Sequence, residues 1–281
     1  MESELLIATN GFKGTWFAIE YGAWLAEVMK MDITLLGVNE VSYPAAIDDQ
    51  YPLEDIFERA VGLFQEKGLP YQLEVRNGEP ERVISEKANS GSYITVVSSL
   101  GRTQIKRLLI GRSIRPLMER IQGPILFVPE IRLPLKKILI SAGGLGYEAA
   151  AESLALQVAS ANQAEVTILH VTPPTEPDYP PNRAARGQTK DLAKTDTLPG
   201  RSLRQALELA QQAGLNARAI ARQGIVVEEI LNELREGNYD MACMGSSYSA
   251  STLRQYYAPH VTAEVAEAAP CPVLTARYRP R

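Results

Sequence analysis

After an apolar run ending at Val97 the chain reads Ser98-Ser99-Leu100-Gly101-Arg102-Thr103-Gln104-Ile105-Lys106-Arg107-Leu108-Leu109-Ile110-Gly111-Arg112-Ser113. Small residues, a glycine, a basic stretch, then a glycine and a hydroxyl at a helix start are the parts of a phosphate cradle. Glycines let backbone N–H groups close on an anion, and a helix N-terminus adds partial positive charge. Arg102, Lys106, Arg107 and Arg112 can add full charges. A plainer reading fits the same residues: Gly101 and Gly111 as turn and helix-boundary positions, the basic side chains as a solvated rim. Spacing alone leaves both readings open.

Other chemistry is thinly represented. The two histidines, His170 and His260, are scattered, so no Ser-His-Asp or Cys-His pairing can be argued. Cys243 and Cys271 form no disulfide framework and no metal-ligand spacing, and both are expected to be reduced and buried. Gly143-Gly144-Leu145-Gly146 lacks the spacing of a dinucleotide fingerprint and is not followed by the lysine of a P-loop, so a tight turn is expected. Asp240 precedes an apolar run and can cap or orient a neighbouring loop, while Tyr256-Tyr257 can stack on a base or pack a loop. The expectation is a non-catalytic protein without a metal.

The elements that must position these residues come as a repeat. Leu5–Gly11 returns as Ile138–Gly144 and Asp32–Val38 as Glu165–Val171, both displaced by 133 positions. The displacement becomes 146 at Gly68 and Gly214, and 148 at Pro124 and Pro272. A period this long exceeds any solenoid unit and suits a duplicated domain. Boundaries of 1–131 and 136–281 follow, joined through Pro129 and Pro134. At 281 residues, each copy is large enough for its own core.

Within the first copy, short apolar strands alternate with amphipathic helices. Strands are expected at Leu5–Ala8, Ile33–Val38, Gln72–Arg76, Ile94–Val97 and Ile125–Val128. Helices are expected at about Thr15–Lys30, Leu53–Lys67, Glu81–Ala88 and Ile114–Ile121. The second copy retraces them at Ile138–Ser141, Glu148–Ala161, Val166–Val171, Ser202–Ala213, Ala217–Arg222, Val226–Arg235, Met241–Met244 and Val273–Ala276. Such alternation means α/β domains with an open parallel sheet covered on both faces. Thr172–Gly200, rich in proline and polar residues, is expected to be a mobile surface loop.

A net charge of −4 gives no reason to expect nucleic acid or an anionic membrane as partner, and no apolar run is long enough to span a bilayer. The acidic start, Met1-Glu2-Ser3-Glu4, is unlike a signal peptide, so a cytoplasmic protein is expected.

At this point the sequence resembles the universal stress protein family, as two of its domains fused head to tail. The closing strands Gly123-Pro124-Ile125-Leu126 and Cys271-Pro272-Val273-Leu274 carry the family's x-Pro-[Val/Ile]-Leu pattern. The resemblance implies a Rossmann-like adenine-nucleotide α-hydrolase fold. It also implies an ATP site made by an aspartate after strand one and Gly-x2-Gly-x9-Gly-[Ser/Thr] after strand four. Here Asn10 stands for the aspartate, Ser98 for the first glycine, Gly101 and Gly111 for the others, and Arg112 for the hydroxyl, with Ser113 one residue late. A base would lie between Asn10 and Val38, and phosphates against Gly101, Gly111, Arg112 and Ser113. In the second copy Gly245 is kept, but Gly143, Tyr248, Ala258 and Pro259 replace the rest. The implied function is a non-catalytic stress-response protein binding ATP or a related nucleotide weakly through its first domain. An ATP-cleaving or adenylyl-transferring enzyme, or a partner-binding protein with no nucleotide site, stand as alternatives. The two domains are expected to pack as a pseudo-twofold pair through Ile125–Val128 and Val273–Ala276, which leaves a further homodimer open.

Overall fold

The structure is a computed structural model that describes residues 4–40, 53–100, 114–143, 149–173, 192–246 and 261–277. The chain divides into two compact units, Met1–Ile131 and Arg132–Arg281.

In the first unit the strands are β1 (Glu4–Thr9), β2 (Ile33–Asn39), β3 (Tyr71–Asn77), β4 (Tyr93–Val97) and β5 (Ile125–Phe127). The helices are α1 (Trp16–Met29), α2 (Leu53–Glu66), α3 (Pro80–Asn89) and α4 (Arg115–Arg120). The strands lie parallel in the order β3-β2-β1-β4-β5. Helices α1 and α2 touch one another, as do α3 and α4, so one pair covers each face of the sheet. Leu5, Leu6, Ile7 and Ala8 of β1 are wholly buried, as befits a central strand of such a sheet. Side chains shrink where helix meets strand. A Cβ on Gly22 of α1 would come within 2.5 Å of Ile7, and one on Gly37 of β2 within 2.8 Å of the Phe57 ring of α2.

The second unit has β6 (Lys137–Ser141), α5 (Ala149–Asn162), β7 (Glu165–Thr172), α6 (Leu198–Gln212), β8 (Ala217–Gln223), α7 (Val226–Gly237), β9 (Met241–Ser246), α8 (Val261–Ala268) and β10 (Val273–Arg277). Its order, β10-β9-β6-β7-β8, matches the first unit strand for strand. The match extends to backbone torsions. Lys30 and Gln163, which follow the first helix of each unit, have φ of 53° and 52°, and Gly68 and Gly214, after the second, have 63° and 72°.

One expectation is corrected. Thr172–Gly200 is not loop throughout: a 3-10 turn occupies Leu192–Lys194 and α6 begins at Leu198, a turn before Ser202. Polar bonds, not apolar periodicity, set this start. The Thr197 hydroxyl accepts from the Gly200 N–H at 3.3 Å, and Pro199 sits in the first turn, where its missing N–H costs nothing. Arg204 donates to the carbonyls of Ala193 at 2.7 Å and Thr195 at 2.6 Å. The remainder of that expectation, 174–191, lies outside the described residues.

Candidate functional site

In a doubly wound sheet the crevice for a ligand opens where strand order reverses, at the carboxyl ends of the strands. In the first unit that point lies between β1 and β4, which pair through Ile7 and Val96.

The turn after β1 is held by a chain of hydrogen bonds. The Gly11 N–H donates to Thr9 Oγ1 at 3.2 Å, the Thr9 and Thr15 hydroxyls lie 2.6 Å apart, and Thr15 donates to the Phe12 carbonyl at 2.6 Å. Because Thr15 spends its proton on Phe12, Thr9 is the donor between the hydroxyls. Gly11 adopts φ 83°, a conformation glycine takes without strain. This anchored turn presents Asn10, only 6% exposed, whose Nδ2 donates to Glu40 Oε1 at a long 3.4 Å. Glu40 follows β2 directly, so Asn10 and Glu40 tie the ends of adjacent strands.

The remaining expected contacts fall differently. The Val38 side chain is fully buried in the core, leaving only its backbone for a ligand. Ser98 is buried, and its hydroxyl donates to the Val128 carbonyl at 2.6 Å, while the Val128 N–H donates to Val97 at 2.8 Å. Ser98 thus fastens the ends of β4 and β5 together. A Cβ on Gly14 would stand 3.4 Å from the Ser99 carbonyl, so the segments after β1 and β4 run side by side. Gly101, Gly111, Arg112 and Ser113 lie outside the described residues.

Two features escaped the sequence reading. Glu40 was hidden because nothing marks an acidic residue just past a strand as facing the first turn. The Thr9–Thr15 bond had a signal, two threonines flanking a Gly-containing turn at the end of a buried strand.

The second unit differs at the corresponding place. His170 stands where the first unit has Gly37, is 6% exposed, and its Nδ1 lies 2.8 Å from the Ala142 carbonyl at the end of β6. A carbonyl accepts, so Nδ1 carries the proton. The Thr262 hydroxyl donates to the Gly245 carbonyl at 3.3 Å. Tyr248, Ala258, Pro259 and His260, Gly144 and Gly146, and the Tyr256-Tyr257 pair lie outside the described residues.

The other candidates take structural positions. Cys243 and Cys271 are buried, and the Cys243 thiol donates to the Ala151 carbonyl at 3.1 Å. Burial, and then the nearby Glu152 carboxylate, push that thiol well above the ordinary range, so it stays protonated and unreactive. Asp240 Oδ2 accepts the backbone N–H groups of Lys136 and Lys137 at 2.8 and 2.9 Å, which orients the start of β6. At the far edge of the same sheet, Arg222 of β8 bonds Glu233, bonds Glu236 at 2.5 Å, and lies 3.4 Å from Glu229. Burial works against its charge, but the bonds to Glu236 and Glu233 more than offset it and raise its pKa. Tyr239 donates to the other oxygen of Glu233 at 2.8 Å, so this cluster stitches β8 to α7.

Two tandem domains of doubly wound α/β architecture, each closing on a Pro-initiated last strand, define the class. The model of the universal stress protein family matches residues 2–129 and again 134–277. The chain therefore belongs to the universal stress protein family, as a tandem member with two of its domains. No curated protein matches it. A universal stress protein from Archaeoglobus fulgidus DSM 4304 has a similar structure, with TM-score 0.69 and 18% identity over 98% of this chain and 96% of that one. A functionally unknown protein from Pseudomonas aeruginosa PAO1 is similar at TM-score 0.61 and 13% identity, over 97% and 92%. The cytoplasmic domain of a prokaryotic cation chloride cotransporter is similar at TM-score 0.56 and 11% identity, over 99% and 96%. At these identities the likeness is one of fold. Among the described residues no helix is long and apolar enough to cross a membrane.

Proposed function

We propose that this chain is a non-catalytic stress-response module that takes an adenine nucleotide such as ATP weakly in its first domain, while the second has lost the counterpart site. The observation that carries the choice of domain is His170. Its ring, which the equivalent Gly37 of the first domain lacks, takes the Ala142 carbonyl at the end of β6. At the end of β1 in the first domain stand Asn10, an amide that can both donate and accept, and the neighbouring Glu40, while Phe57 of α2 packs against Gly37, the counterpart of His170. Gly101 and Gly111 keep the spacing of the family's phosphate loop, whereas Tyr248 and Pro259 add a ring and remove an N–H donor.

Titration calorimetry on the whole chain tests this. ATP is expected to bind with a stoichiometry of one per chain, and Gly101→Trp is expected to abolish binding by filling the phosphate loop. Binding that survives Gly101→Trp but is lost on Gly245→Trp would move the site to the second domain. The chain is further proposed to leave ATP intact, and release of phosphate or pyrophosphate by purified protein would contradict that.

A further inference from the structure

We propose that the outer edge of β3 is a docking edge for a second copy of this chain, paired antiparallel about a twofold axis at Val75. β3 ends its unit's sheet, and among the described residues it pairs only with β2. The Ile33 N–H donates to the Pro70 carbonyl and the Gly78 N–H to the Asn39 carbonyl, both at 3.0 Å. In a parallel ladder these bonds turn the backbone groups of even-numbered residues toward β2. The N–H and C=O groups of Tyr71, Leu73, Val75 and Asn77 therefore face outward.

Side chains agree with the backbone. Leu73 is 45% exposed and Val75 57%, two large apolar groups on one face of an open edge. That face is the one α2 covers further in, since Tyr71 packs against Phe64 of α2 with ring centres 5.6 Å apart. Edge strands that stay unpaired are ordinarily blunted by charge. The twin strand β8 shows this: Ala219 and Ala221 replace Leu73 and Val75, and they are flanked by Arg218 and Arg222. A β8 edge pairing with itself about Ala221, the twin of Val75, would set Arg222 against Ile220, with no opposite charge to answer it.

Charge fixes the partner and the register. With Val75 on the axis, Leu73 faces Asn77 and Glu74 faces Arg76 of the second copy, twice over. The Glu74–Arg76 pairs fall at the non-hydrogen-bonded positions, where opposing side chains come closest. Centring on Glu74 instead would set that carboxylate against its own copy. Within one chain Glu74 already bonds Arg76 at 2.5 Å and Lys87 at 2.7 Å, so both charges stand ready near the edge.

Sedimentation velocity on the full chain reads the association. Val75→Lys puts two ammonium groups on the axis and is expected to raise the dissociation constant by about tenfold or more, while Ala219→Lys on β8 leaves it unchanged. Glu74→Arg and Arg76→Glu should each remain monomeric alone and associate when mixed, because only the mixture pairs opposite charges. A Val75→Cys chain is expected to form a disulfide-linked dimer on mild oxidation, against a low background because both native thiols are buried. Unchanged association of Val75→Lys, failure of the mixture to associate, or a Val75→Cys chain that stays monomeric on oxidation would each overturn the proposal.

Discussion

Asn10 and Glu40 show how one neighbour changes what a residue type means. An aspartate at position 10 would give the family's usual charge, but here it would stand beside the Glu40 carboxylate. Two carboxylates that close repel one another, which offsets what the added charge would gain. Asn10→Asp alone is therefore expected to bind ATP no better than the native chain. Asn10→Asp combined with Glu40→Gln should bind about tenfold tighter, the ~1.4 kcal/mol of a charge-assisted bond replacing a neutral one. Calorimetry on the two single variants and the double variant measures this coupling, and additive effects would remove the argument.

Elements were legible in the sequence wherever apolar burial set them, and less so where polar bonds did. β1, β2, β4 and β6 declared themselves as short apolar runs because both faces of the sheet are covered. Ser98 was legible as a small residue at a loop start, yet its bond to Val128 depends on two distant strands meeting. The early start of α6 was hidden for a related reason: its order comes from Thr197 and Arg204, which hydropathy counts as loop-like. The glycines after α2 and α6 were legible, and they allow a clean measurement. A Cβ would meet nothing within 4 Å at Gly68 or at Gly214, so substitution there adds only backbone strain. Gly68→Ala and Gly214→Ala are expected to destabilise by a similar ~1 kcal/mol each in denaturant unfolding. A cost several times larger at one site would point to a contact absent from its twin. Arg222 makes the opposite case, because two of its partners, Glu229 and Glu233, have side chains only 5% and 8% exposed. Arg222→Ala strands those carboxylates and should cost about 3 kcal/mol, measured the same way. A loss under 1 kcal/mol would mean that water reaches the cluster freely.

At the scale of the molecule, the two units share an architecture and differ in their connections. The longest difference is the segment between β7 and α6, whose described end is tied down by Arg204. Limited trypsin digestion is expected to cut at Arg183, Arg186 or Lys190 and to spare Lys194, which lies in the 3-10 turn next to those bonds. Early cleavage at Lys194, or in the Pro129–Pro134 joint, would contradict this.

His170 opposite Gly37 has a consequence for descent. When identical single-domain chains assemble with their own copies, each substitution is made in every subunit at once, and a harmful one is harmful everywhere. Two copies on one chain are released from that rule. The second can set an imidazole against its Ala142 carbonyl while the first keeps a glycine at that position, and each finished molecule still carries one of each. Covalent linkage thus lets the two copies diverge in a ratio that no change in expression can alter.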